Sequence, residues 1–224
     1  MKIVFLGDSL TWGGYGGNYV EALRQRLPNH QLINAGQGGN TIINLYRRLD
    51  AVLAQQPDGV FVMTGGNEAI ASLYPATRPY YKKSQQLADG WVTPEQFSQT
   101  YRDLLATLQL QHVLAWVGLP PAEYSAELVV RLKEYNALAQ AAADSLNIPT
   151  LDLMGRFLRH EPAPRPPLSL RAINQIGERT SSGWNDYETE RQAGGFTFTF
   201  DGLHLTPDSA QQVAEAIAAF IEHR

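Results

Sequence analysis

The feature that most limits what this chain can fold into is an alternation of two kinds of segment along its length. Short apolar runs recur at Ile3 to Leu6, Leu32 to Asn34, Val60 to Met63, Val113 to Val117 and Thr150 to Leu153. They are apolar runs rather than polar–apolar alternations, so each reads as a strand covered on both faces. Between them lie stretches with helical period. Val20, Leu23 and Leu27 mark the first, Ile42, Tyr46, Leu49 and Leu53 the second, and Phe97, Tyr101, Leu104 and Leu108 the third. The third opens on Thr93-Pro94-Glu95-Gln96, a capping box with proline at the first helical position. Leu128, Leu132, Tyr135, Ala139, Ala142 and Leu146 make a fourth. A last helix starts at Thr206-Pro207 and turns Val213, Ile217 and Phe220 or Ile221 inward. This alternation predicts a parallel sheet with helices on both faces. Ligands of such sheets gather at the carboxyl ends of the strands.

Two stretches break the rhythm. Tyr74 to Gly90 is polar and aromatic, and Arg159 to Phe200 is longer, opening "RHEPAPRPP". Loops of this length serve as lids or binding loops, or are disordered. No internal repeat and no second-domain boundary stands out. The chain therefore reads as one domain over 1–224, with long loop insertions near 74–90 and 159–200, and its 224 residues support a single core. A net charge of -4 with no basic stripe argues against a nucleic-acid partner. The absence of cysteine removes disulfides, thiolate catalysis and thiolate metal sites together. The apolar run of "MKIVFLGDS" is too short for a signal-peptide core, and no stretch approaches the length of a membrane span. A soluble, cytoplasmic protein is the expectation.

Four places carry candidate chemistry. In "VFLGDSLTWGG" a buried strand stops at Gly7 and presents Asp8 and Ser9. Ser9 is either a helix cap or a nucleophile, and the second role needs a base and oxyanion donors nearby. "FDGLHLTPDS" offers the base. Asp201 and His204 stand three apart, so the carboxylate can hold the Nδ1 proton while Nε2 faces outward. The alternative is a surface turn whose histidine touches nothing, and His30, His112, His160 and His223 read as structural. "INAGQGGNT" follows the second strand, where Gly39 brings a bare backbone N–H to a ligand. "VMTGGNEA" follows the third, where Asn67 offers a side-chain NH₂. Plain turn chemistry accounts for either stretch alone. Together the four supply nucleophile, base, orienter and oxyanion donors on one rim of a parallel sheet.

Those four stretches, "GDSL", "NAGQGGNT", "GGNE" and "DGLH", resemble the signature blocks of the SGNH (GDSL) hydrolase family, in that family's order and over nearly the whole chain. The resemblance implies a three-layer α/β/α sandwich, flavodoxin-like, on a five-stranded parallel sheet. It implies serine ester hydrolysis without cofactor or metal. Ser9 matches the nucleophile, Asp201 and His204 the rest of the triad, and Gly39 and Asn67 the oxyanion hole, with the Ser9 N–H as third donor. Two positions depart from the pattern. Glu68 stands where the family usually has Asp, and Leu205 where proline commonly follows the histidine.

Rival readings make distinct demands. "GQGG" after a strand is similar to a dinucleotide-binding loop, but Thr41 stands at the third glycine position and no G-K-[ST] follows. A metal-dependent phosphoesterase would take Asp8, Asn67, Asp201 and His204 as ligands, yet lacks paired carboxylates. A non-catalytic carbohydrate-binding relative would have no use for the full reacting set. The expected substrate is a small-molecule ester with a short acyl group, such as an acetylated carbohydrate or an aryl ester. Trp12, Trp184 and Tyr187 are candidate pocket walls, and Tyr80, Tyr81, Arg165 and Arg171 suit stacking and hydrogen bonding. The alternative is a lysophospholipase- or thioesterase-like lipid hydrolase.

Overall fold

A computed structural model describes residues 1–223. In chain order its elements are β1 (Lys2–Gly7), α1 (Ser9–Trp12), α2 (Tyr19–Arg26), β2 (Gln31–Gly36), α3 (Ile42–Arg47), α4 (Leu49–Leu53) and β3 (Gly59–Met63). Then follow α5 (Gly66–Leu73), α6 (Arg78–Ser84), α7 (Pro94–Leu110), β4 (Leu114–Leu119), α8 (Ala126–Asp144) and β5 (Thr150–Asp152). The chain closes with α9 (Leu153–Phe157), α10 (Leu170–Ser182), α11 (Tyr187–Gly194) and α12 (Pro207–Glu222). The five strands pair in parallel in the order β2-β1-β3-β4-β5. This is the flavodoxin-like order, whose direction of winding reverses between β1 and β3.

Alternate residues of the strands feed two cores. Val4, Leu6, Val60, Val62, Val117 and Leu119 face one side and pack with α3, α4, α5, α7 and α8. Ile3, Phe5, Phe61, Met63 and Trp116 face the other and pack with α2 and α12. Every strand of the sheet's centre is therefore buried on both faces, and that burial explains why the apolar runs do not alternate. The expected three-layer α/β/α architecture is the observed one.

Two sequence expectations give way. The second helical stretch is two helices, broken at Arg48 (φ -108°, ψ 12°), and Tyr46 points to solvent. The break comes where the Arg48 side chain turns inward, donating to Gly7 O (2.9 Å) and Asn40 Oδ1 (3.0 Å). The segments read as long loops hold helices. α6 lies within the first, and α10 and α11 within the second. Proline-rich flanks drew the loop reading, but Leu170, Ile173 and Ile176 repeat every three residues along α10. Gly183 (φ 70°) and Gly195 (φ 64°) end α10 and α11 in left-handed caps.

Candidate active site

β1 delivers the first group. A Cβ at Gly7 would lie 2.1 Å from Thr11 Oγ1 and 2.6 Å from Met63 O, so the strand leaves the sheet through a residue that must be glycine. Asp8 then caps α1, its Oδ1 accepting from Leu10 N at 3.0 Å. The cap is Asp8, not Ser9. Ser9 is the first residue of the helical turn, with its hydroxyl free of capping duty.

The hydroxyl lies 3.0 Å from His204 Nε2, and His204 Nδ1 lies 2.8 Å from Asp201 Oδ2. Asp201 Oδ1 accepts from Leu203 N (2.9 Å) and His204 N (2.7 Å), fixing the turn that Gly202 (φ 87°) makes possible. With Nδ1–H donating to the carboxylate, His204 presents Nε2 as an acceptor. Burial alone would push this imidazole down. The charge and hydrogen bond of Asp201 outweigh it and, with a smaller push from Asp8, hold the imidazole above its ordinary value. Burial likewise pushes Asp201 up, and His204 with the two backbone N–H groups holds it below the usual carboxylate range. Burial pushes Asp8 up to about 6, against the pull of Leu10 N–H, His204 and Arg48.

The other two strand ends converge on the same place. Residues 37–40 form a turn closed by Asn40 N to Gln37 O (3.2 Å), with Gly39 at its positive-φ position (77°). Asn67, in the first turn of α5, donates from Nδ2 to Asn40 O at 3.0 Å and lies 3.5 Å from Asp8 Oδ2. Among the described residues no protein acceptor takes the backbone N–H of Ser9 or of Gly39. Ser9, Gly39, Asn67, Asp201 and His204 all line one cavity of about 1120 Å³ at the carboxyl ends of the strands. β1 and β3 flank the point where the winding reverses, so the cavity sits where parallel sheets place ligands.

Trp12 lines this cavity, as do Tyr80, Tyr81 and Arg165. Trp184 and Tyr187 do not. They pack on each other (ring centroids 5.2 Å apart), on Phe200 and on Tyr15, forming an aromatic cluster behind His204. Arg171 also lies outside the lining. Aromatic character in a long segment does not say which way the ring turns, and here burial against other rings wins.

Other residues bear on the site without having been legible. Tyr15 is buried with its ring edge-on to His204 at 5.1 Å, and its hydroxyl accepts from Arg179 Nη1 at 3.3 Å. Glu123 is buried after β4, and its carboxylate takes the N–H groups of Thr197, Phe198 and Thr199 and both threonine hydroxyls at 2.6–3.0 Å. That grip anchors the segment leading into the Asp201–His204 turn. A carboxylate in the otherwise apolar "LPPAEYS" was the available signal. Glu68, the departure from the family pattern, is fully buried and accepts from Ile42 N at 2.5 Å. It joins the third-strand loop to the start of α3, and burial pushes it up to about 8.

A model of the GDSL-like lipase/acylhydrolase family matches residues 5–212. No curated protein matches the sequence. Among solved structures, the lipase/acylhydrolase from Enterococcus faecalis superposes with a TM-score of 0.67 at 20% identity, over 100% of this chain and 96% of that one. The acetyl xylan esterase AlAXEase gives 0.66 at 21% identity, over 99% of this chain and 100% of that one. Axe2, an acetylxylan esterase from Geobacillus stearothermophilus, gives 0.66 at 18% identity, over 98% and 93%. At these identities the likeness speaks for the fold. Among the described residues no helix is long and apolar enough to cross a membrane.

Proposed function

The chain belongs to the GDSL-like lipase/acylhydrolase family and is a carboxylic ester hydrolase, and on that premise we propose that it works through an acyl-enzyme on Ser9. The observation that carries the proposal is the continuous line from Asp201 Oδ2 through His204 to Ser9 Oγ, at 2.8 and 3.0 Å. Neutral His204 takes the hydroxyl proton on Nε2 as Oγ attacks the ester carbonyl. The imidazolium that forms is stabilised by Asp201 across Nδ1–H. The carbonyl oxygen, now negative, is met by the N–H groups of Ser9 and Gly39 and by Asn67 Nδ2. His204 returns its proton to the leaving alcohol, and water then releases the acyl group by the same route.

For the substrate, we infer a short-acyl ester of a bulky alcohol, an acetylated carbohydrate or an aryl ester. Trp12, Tyr15, Tyr80 and Arg179 line the cavity with rings and a hydrogen-bonding cation, which suit a polar or aromatic alcohol. A second reading, a longer acyl chain, draws on the aliphatic residues that also line this cavity, Ile70, Leu132, Leu168 and Ile173.

Two measurements on Ser9 test the catalytic proposal. Ser9→Ala is expected to lower ester turnover by about 10⁴-fold or more, leaving the contribution of binding and the oxyanion hole. A fluorophosphonate is expected to label Ser9 in the native protein and nothing in the variant. Near-normal turnover in Ser9→Ala overturns the assignment.

A further inference from the structure

We propose that α6 and the residue after it, Gln85, act as a clamp that sets the oxyanion hole, with Tyr81 as the positioning residue for Asn67. The inference rests on the reading of Asn67 and Gly39 as oxyanion donors. It adds what holds them in place.

An asparagine amide is useful to an oxyanion in only one orientation. With NH₂ toward the substrate it stabilises negative charge, and with its carbonyl there it opposes it. Here Asn67 Nδ2 donates to Asn40 O at 3.0 Å and, at the long distance of 3.5 Å, to Asp8 Oδ2, so an arriving oxyanion beside Ser9 has only the weaker of the two bonds to displace. The carbonyl end, Oδ1, accepts from the Tyr81 hydroxyl at 2.9 Å. Tyr81 is 1% exposed, so the bond is made in a dry place where an unpaired amide oxygen is costly. A phenol facing a carbonyl oxygen can only donate. Tyr81 therefore selects the orientation that turns Nδ2, not Oδ1, toward the reacting carbon.

The second grip is on the loop that carries Gly39. Gln85 Oε1 accepts from Asn40 Nδ2 at 3.0 Å, and Gln85 Nε2 donates to Gly38 O at 3.2 Å. One side chain thus bonds the residues on either side of Gly39. The Tyr80 hydroxyl, 3.4 Å from the same Nε2, closes over Gly39, where an added Cβ would meet it at 2.4 Å. Tyr80, Tyr81 and Gln85 span little more than one helical turn, so a single short element fixes donors that come from two different strand ends. The proposed donors would be aligned before the substrate arrives, as electrostatic stabilisation of a transition state requires.

The test is a double-mutant cycle on steady-state ester hydrolysis. Tyr81→Phe removes one oxygen from a buried site. It is expected to lower kcat about 10-fold with KM nearly unchanged, and to weaken an arylboronic acid, which forms a tetrahedral adduct on Ser9, by a similar factor. Asn67→Ala alone is expected to lower kcat by about 10²–10³-fold. In the Asn67→Ala background, adding Tyr81→Phe is expected to cost little more. If Tyr81→Phe lowers kcat as much without Asn67 as with it, or raises KM while leaving kcat and boronate affinity alone, the positioning role is overturned. If Asn67→Ala leaves kcat unchanged, the oxyanion reading itself fails, which is a separate result. Gln85→Met keeps the fold-independent check. It should lower kcat and boronate affinity together in protein that is still folded at the assay temperature, and a normal kcat in that variant overturns the clamp even where Tyr81→Phe folds poorly.

Discussion

The residues that define the reacting centre differ in how far apart their partners lie. Asp201 and His204 meet within one turn, so spacing offered their pairing, and the structure decides it against the surface turn that was the alternative. Ser9 stood out because a strand ending in Gly-Asp-Ser has few reasons to stop there, although only the structure shows that it is not the cap. The cap role falls to Asp8. Tyr15, Tyr81 and Arg48 act through partners on other elements, and no local pattern marks them, whereas Glu123 offered only a carboxylate in an apolar stretch as its signal. Asp8 also has an electrostatic role. It raises His204, which stands above its ordinary value near 6.5 mainly because Asp201 outweighs the effect of burial. In the proposed mechanism only neutral His204 accepts the Ser9 proton, so activity is expected to rise with pH as the imidazole loses its charge. The acid limb of kcat/KM is therefore expected above about 6.5 rather than below it. Asp8→Asn, which keeps a cap acceptor but removes the charge, is expected to move that limb to lower pH. A limb that stays in place in the variant would show that Asp8 does not act on His204 through its charge.

At the scale of elements, the strands and the long helices were legible because each buries a continuous apolar face, and period alone reveals it. The broken second helix and the helices of the two long segments were not. Their ends are set by Arg48 reaching into the site and by left-handed glycine caps, and α10 holds no fully buried residue to strengthen its period. Glu68 shows how one buried side chain couples two elements. Its carboxyl takes the Ile42 N–H at the start of α3, and burial keeps it protonated up to about 8, whereas an unfolded chain ionises it near 4.3. Between those values the folded state holds the extra proton. Stability therefore falls as pH rises through that window, by about 1.4 kcal/mol per unit at most. Glu68→Gln cannot ionise, so thermal melts from pH 6.5 to 8.5 are expected to show a shallower loss of melting temperature than the parent. That range lies above the point near 6 to which Asp8 is raised, so Asp8 adds little to the slope there. Equal slopes in the two proteins would mean that Glu68 is already ionised in the fold.

For the whole molecule, the question is what the cavity is shaped to exclude. Its volume of about 1120 Å³ exceeds what an acetyl group needs, and α10 supplies one wall from a segment that resembled a loop in the sequence. The two sides of the cavity make opposite demands. If the rings of Trp12, Tyr15 and Tyr80 and the Arg179 guanidinium take the alcohol, a short acyl group suffices, and lengthening it gains nothing. If the aliphatic side takes the acyl chain, each buried methylene adds roughly 0.8 kcal/mol, close to a fourfold gain per carbon in kcat/KM. A series of esters sharing one alcohol, from acetyl through butyryl and octanoyl to decanoyl, reads the difference directly. The short-acyl reading expects kcat/KM to be highest at acetyl or butyryl and to fall beyond. A steady climb to decanoyl would assign the aliphatic wall to the acyl chain and replace the substrate reading, with the chemistry at Ser9 unchanged. A bulky residue at Ile173 on α10 adds an independent check, because Ile173→Trp would narrow the cavity at its aliphatic lining. It is expected to leave acetyl-ester turnover within about twofold, since one side chain facing unused space costs little. Loss of acetyl-ester activity in that variant would place the alcohol, not empty space, against Ile173.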